Sequence, residues 1–97
     1  MTKKRNEAPK INALICAIGR IRNEQEGLDF FMDLCTPSEL EAMADRWQVV
    51  MLLREGVSYR VIQDRTGVSL ATITRVARSM NLGNGGYTLI ADRTETK

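Results

Sequence analysis

Four arginines, Arg60, Arg65, Arg75 and Arg78, stand among small and hydroxyl-bearing residues in the stretch YRVIQDRTGVSLATITRVARS, residues 59–79. A guanidinium is permanently charged and offers five donors in a planar fork, which matches phosphates and the acceptor edge of guanine. That stretch has one acid, Asp64, and no lysine. Its chemistry is anion recognition rather than bond-breaking. Other chemistries find little material. The chain has no histidine, and its two cysteines, Cys16 and Cys35, lack metal-ligand spacing. They read as two buried, reduced thiols. The carboxylates Asp29, Asp33, Glu39 and Glu41 fall at helix-surface spacing with no base beside them, so they read as solubilising charge. With no nucleophile–base pair and no metal set, the expectation is no enzyme and no cofactor.

The elements that position these arginines come from a chain of 97 residues, the size of one small domain. A chain this short buries only about 60–65% of its unfolded surface, so a partner chain would stabilise it. The longest apolar run, Val49 to Leu53, cannot span a bilayer. Asn12 interrupts the first apolar segment, which argues against a signal peptide and for a cytoplasmic protein. Net charge is only +2, but it alternates along the chain. Residues 1–23 carry six bases and one acid, residues 24–45 carry seven acids and no base, and residues 46–80 carry six arginines and two acids. The Lys3-Lys4-Arg5 cluster reads as a solvated end in preference to a DNA-binding arm.

Periodicity predicts only helices. Ile11, Leu14, Ile15, Ile18 and Ile21 mark an amphipathic helix over about 10–23, and Leu28, Phe31 and Leu34 mark a second helix or a bent extension of the first. Thr36-Pro37-Ser38-Glu39 is a helix-start signal, with Thr36 as cap and Glu39 closing a capping box. The helix that follows lines up Leu40, Met43, Trp47, Val50 and Met51, is apolar all round from Val49 to Leu53, and ends at Gly56. Trp47 reads as core or dimer interface. Ser58 starts a short helix with Val61 and Ile62 inward, and Gly67 closes it. Ser69 caps a last helix with Ile73, Val76, Ala77 and Met80 inward. After Met80 the segment NLGNGGY breaks the pattern, so residues 82–97 read as a flexible tail with Tyr87, Leu89 and Ile90 tucked against the body. Residues 1–9 read as a flexible basic N-terminus, and residues 10–81 as the helical dimerisation and DNA-binding domain.

Residues 59–80 then form a helix-turn-helix. The turn Thr66-Gly67-Val68 needs the left-handed backbone that Gly67 supplies, and Val68 and Ile73 fill the angle between the helices. The second helix, 69–80, is free to enter a major groove. On its outer face Ala71 can approach a thymine methyl, Thr72 and Thr74 can reach phosphates or base edges, and Arg75 and Arg78 can contact phosphate or guanine. A small, cationic face suits close approach to double-stranded DNA. Gln63 occupies the position that commonly holds Ala in such motifs.

The stretch LCTPSELEAMADRWQVVMLLREGVSYRVIQDRTGVSLATITR, residues 34–75, resembles the tryptophan repressor family, in particular its Trp-repressor-like branch. LCTPSE, REGVSYR and ATITR are its specific parts. The resemblance implies an all-α fold with a C-terminal helix-turn-helix and an interlocked homodimer. It implies a transcriptional repressor reading a palindromic operator. Carried over position by position, Arg60 contacts a base, Leu70 and Ala71 face bases, and Thr72, Thr74 and Arg75 contact phosphates, with Gln63, Ser69 and Arg78 in the same interface. Arg46 and Arg75 match the pair that sandwiches an indole co-repressor, with Thr36 and Ser79 as polar contacts. Where the family has glycine after Arg75, this chain has Val76, so tryptophan is not expected to be the effector; whether another small molecule serves is left open. The family's final helix is expected to be replaced by the irregular tail. Two other readings of a basic helical module are a DNA-tethering unit of a recombination or replication system and a protein-interaction module.

Overall fold

A computed structural model describes residues 8–95; the Lys3-Lys4-Arg5 cluster lies outside them. Six helices account for the described residues, without a strand: α1 Pro9–Ile18, α2 Glu24–Leu34, α3 Pro37–Arg54, α4 Tyr59–Thr66, α5 Leu70–Leu82 and α6 Gly86–Glu95. The chain divides into two compact units, Met1–Pro37 and Ser38–Lys97.

The first unit holds α1 and α2. Pro9 opens α1, where a missing N–H costs nothing. α1 ends at Ile18, well before the expected boundary at Asn23, because Asn23 belongs to the next helix. Its side-chain oxygen accepts the Glu26 N–H at 2.9 Å, and the Glu26 carboxylate accepts the Arg22 N–H at 3.0 Å. These two side-chain caps at its start make α2 a separate helix rather than an extension. Phe30 and Phe31 meet edge-on with centroids 5.6 Å apart. No described residue of this unit is buried, and Ile11, Ile15 and Met32 are 55%, 58% and 61% exposed. The thiols follow suit. Cys16 is exposed and Cys35 half-buried, both free, so the expectation of two buried cysteines is corrected: α1 has no covered face on which to hide one.

The second unit carries the core. α3 has Glu39 in its first turn and ends in a Schellman motif, with the Gly56 N–H bonded to the Leu53 carbonyl at 3.0 Å and the Val57 N–H to the Leu52 carbonyl at 3.1 Å. Val49 and Val50 are fully buried against Ile62 of α4, Val68 of the turn, Ile73 and Val76 of α5 and Ala91 of α6. Part of the all-round apolar run of α3 is therefore covered within the chain. Val61 corrects the expected inner face of α4, being 43% exposed while Ile62 is fully buried. Neighbouring helix positions diverge by about 100°, and α4 has only one face on the core.

α6 is the main departure from the sequence reading. Residues 82–97 are expected to be an irregular tail that replaces the family's final helix; instead Leu82 closes α5 and Gly86–Glu95 form a helix. The link is built from glycines. A Cβ on Gly83 would collide with the Ser79 carbonyl oxygen, and Gly85 has φ +84. Tyr87 packs on Trp47 with centroids 6.4 Å apart, but Leu89 and Ile90 are about half exposed, and the residue that enters the core is Ala91. Arg54, at the end of α3, fixes the far end of α6. Its Nη2 donates to Asp92 Oδ1 at 2.6 Å and to Glu95 Oε1 at 2.8 Å, while Nε donates to Glu95 Oε2 at 3.2 Å.

The hydrogen bonds from Arg54 hold the Glu95 carboxyl below its ordinary value. A carboxylate depressed in the folded state contributes stability that is present above its unfolded pKa and fades as pH falls through the folded one. The attachment of α6 is therefore expected to loosen on acidification below the usual glutamate value of about 4.3. Amide exchange over residues 86–95 and Trp47 fluorescence should report the loosening. An Arg54→Met variant should lose this pH dependence while residues 59–80 keep their protection; the same acid response in both proteins would exclude the clamp.

Candidate nucleic-acid interface

α4, the turn and α5 are each ended by a local device that the sequence predicts. The Ser58 hydroxyl accepts the Val61 N–H at 3.3 Å at the start of α4. Gly67 stands at φ +77, the left-handed conformation that a side chain resists, and its N–H returns to the Gln63 carbonyl at 2.9 Å. The Ser69 hydroxyl accepts the Thr72 N–H at 3.2 Å and lies 3.1 Å from Thr72 Oγ1. Ser-to-Ala changes at such caps cost about 1 kcal/mol, so these contacts help fix where each helix begins. Val68 is 7% exposed, Ile73 is fully buried and Val76 is 1% exposed. These three apolar groups fill the angle between α4 and α5, and one face of α5 is thereby fixed inward.

The opposite face is open. Ala71, Thr74, Arg75 and Arg78 are exposed on α5, Thr72 is half-buried beside its cap, and Leu70 is 50% exposed at the first helical position. Arg60, Gln63 and Arg65 are exposed on α4. Gln63 is awkward only if it points at the second helix; exposed, it crowds nothing. α5 has no acid in its first turn. Its positive helix end and its hydroxyls thus lie beside the cationic face, the arrangement that attracts phosphate. The nine residues expected to meet DNA, Arg60, Gln63, Ser69, Leu70, Ala71, Thr72, Thr74, Arg75 and Arg78, all belong to this one helix pair and its turn. The carboxylates Asp29, Asp33, Glu39 and Glu41 are exposed on α2 and α3.

The expected effector residues fall in both units. Thr36 belongs to the first unit, while Arg46, Arg75, Val76 and Ser79 belong to the second. Arg46 is half-buried on α3 and Arg75 is exposed. Val76 points into the core. Ser79 lines an open cavity of about 460 Å³ with Gly83, Asn84, Gly86, Tyr87 and Ile90. Arg46, Arg75 and Val76 are not among its walls. The α6 side of this cavity is absent from the sequence reading, which has no helix there. One further group escapes that reading. Thr66, in the turn, donates its hydroxyl to the Ile62 carbonyl at 2.7 Å and accepts the Val68 N–H at 3.0 Å. The signal for it is a threonine immediately before the glycine of a turn.

Comparisons with known proteins agree with this geometry. The family model described as Trp repressor protein matches residues 9–95. The uncharacterised protein YerC of Bacillus subtilis (strain 168) is 41% identical over 91 residues, covering 91% of this chain and 88% of its own. A TrpR-like protein from Eubacterium eligens ATCC 27750 superposes with TM-score 0.86 at 38% identity, over 94% of this chain and 96% of its own. A candidate Trp repressor from Staphylococcus aureus superposes with TM-score 0.87 at 36% identity, over 100% of this chain and 97% of its own. The match takes in α6 as well as the helix pair, and on it this chain belongs to the Trp repressor family.

Proposed function

We propose that this chain is a homodimeric, sequence-specific regulator that binds double-stranded DNA, acting as a repressor on a palindromic operator. The observation that carries the reading is the two-sidedness of α5. Ile73 and Val76 are locked in the core while Arg75, Arg78, Thr74 and Ala71 face solvent on a helix with no acidic residue. Membership of the Trp repressor family supports it. A protein-interaction module would bind acidic protein rather than DNA, and only a DNA complex would show the steep salt dependence of counterion release. A tethering module would bind DNA without governing transcription from the selected site. No described helix is long and apolar enough to cross a membrane, and a cytoplasmic site of action fits a chain with two free cysteines.

The second copy is argued from the first unit. Two helices that bury nothing and leave Ile11, Ile15, Leu28, Met32 and Leu34 about half exposed or more present an apolar surface with no cover in the described chain. Light scattering behind a sizing column should give twice the chain mass of 10.9 kDa at micromolar concentration. A folded monomer there would overturn the dimer, and Ile15→Asp should shift the wild-type dimer toward monomer.

Arg60 and Arg75 should act differently. Arg60, at the start of α4, is assigned to a base, so Arg60→Ala should relax preference at one operator position by about 1–3 kcal/mol. Arg75 is assigned to phosphate, so Arg75→Ala should weaken binding to all duplexes and reduce the salt slope by about one unit per half-site. Titrations on a selected site and its mismatches, at several salt concentrations, distinguish the two; identical behaviour of the variants would refute the assignment. The half-sites should recur about 34–36 Å apart, one helical turn.

Tryptophan is not the co-repressor on this reading. Val76 occupies the position of the family's glycine and is 1% exposed, packed with Ile62 and Ile73. An indole seated there would have to displace core atoms, and overpacking costs about 1–3 kcal/mol, roughly ten- to a hundredfold in affinity. Calorimetric titration with L-tryptophan to millimolar levels should show no micromolar binding and no gain in operator affinity. Val76→Ala or Val76→Gly should increase tryptophan binding; micromolar binding by the wild-type chain would disprove the steric argument.

A further inference from the structure

The ends of α3 and α4 differ in a way that singles out one side chain. Both helices end at a glycine in the left-handed conformation, Gly56 at φ +80 and Gly67 at φ +77. After Gly56 the next amide, Val57 N–H, returns to a backbone carbonyl of the helix, that of Leu52. After Gly67 the next amide, Val68 N–H, goes instead to the Thr66 hydroxyl at 3.0 Å. That hydroxyl spends its own hydrogen on the Ile62 carbonyl at 2.7 Å. A backbone return would continue the chain around the end of the helix, as it does beyond α3. The side-chain bond replaces that return and lets the backbone leave toward Ser69, where α5 starts. The two residues it links are core residues on either side of the turn, Ile62 at 0% and Val68 at 7% exposure.

We propose that Thr66 is a positioning residue for DNA recognition, its hydroxyl setting the direction in which α5 leaves α4 and hence how the faces bearing Arg60 and Arg75 meet one duplex. The proposal rests on the DNA-binding reading and deepens it. Thr66 touches no DNA itself and acts through the turn. The bond also gives a partner to an amide on a buried residue, which would otherwise bear the cost of an unmade hydrogen bond.

The test compares Thr66→Ser, which keeps the hydroxyl, with Thr66→Val, which keeps the branched shape and removes it. Each full-length variant is titrated with a duplex selected by the wild-type chain, and amide exchange is followed by NMR. Thr66→Ser should bind within about twofold of wild type. Thr66→Val should bind the selected duplex about tenfold more weakly, equivalent to roughly 1.4 kcal/mol, with an unchanged salt slope because no phosphate contact is lost. Its Val68 amide should exchange faster while those of Ile73 and Val76 stay protected. Wild-type affinity in Thr66→Val, or exchange that quickens equally across both helices, would overturn the proposal. If Thr66→Val does not fold, the wild-type Val68 amide decides: protection comparable to that of Ile73 supports the bond, and exchange as fast as an open turn refutes it. A wild-type chain that selects no duplex would refute the DNA-binding reading instead, and the exchange contrast would still judge the Thr66 bond.

Discussion

The second unit depends on one apolar junction, where Ile62, Val68, Ile73 and Val76 close on Val49 and Val50 of α3. α4 has only eight residues, too few to be stable as an isolated helix in water. Packing into the core it shares with α3 and α5 is what makes it persist, and the same core sets the inner face of α5. Once Ile73 and Val76 are inward, the helical period leaves Arg75 and Arg78 outward, where charge can be solvated or meet an anion. The interface is in this sense a by-product of burial: the side chains that would touch DNA are placed by the ones that cannot.

The local features of this arrangement are legible in the sequence because each is a short-range signal. Ser58, Gly67 and Ser69 announce helix ends by chemistry that needs only three or four residues of context, and the structure has each in its expected role. The inner face of α5 is equally clear from spacing. The readings that fail rest on tertiary facts. α6 has a weak apolar pattern, glycine at its first position, and a small residue, Ala91, as its buried point. Its polar ties to α3 come from Arg54, 38 and 41 residues earlier in the chain. Val61 looks as apolar as Ile62, and only the placement of α4 on the core distinguishes them. Asn23 is different in kind. With Glu26 three residues on, it carries the signature of a capping box, which the strong apolar stripe of α1 obscures.

The two units divide the labour physically. The second has a closed core and carries the arginine-bearing helix pair; the first buries none of its described residues. Composition, at 43% hydrophobic and 27% charged, carries no trace of this division, because it records which residues are present and not which of them are covered. Within the second unit Trp47 is only half-buried, on the margin of the core against Tyr87 and not at its centre.

The cationic face of α4 and α5 is built entirely from arginine. The chain has lysine only at positions 3, 4, 10 and 97, and no histidine anywhere. Guanidinium groups stay protonated across the whole physiological range, and lysine acylation, a common enzymatic means of erasing positive charge, has no target on this surface. The positive charge it offers an anion is thus beyond the reach of the acetyl-donor supply that couples lysine charge to metabolism. Control over such a surface must leave its guanidinium charges in place and act on something else: on the hydroxyls beside them, on the amount of protein, on ionic strength, or on the relative placement of the two helices that bear it.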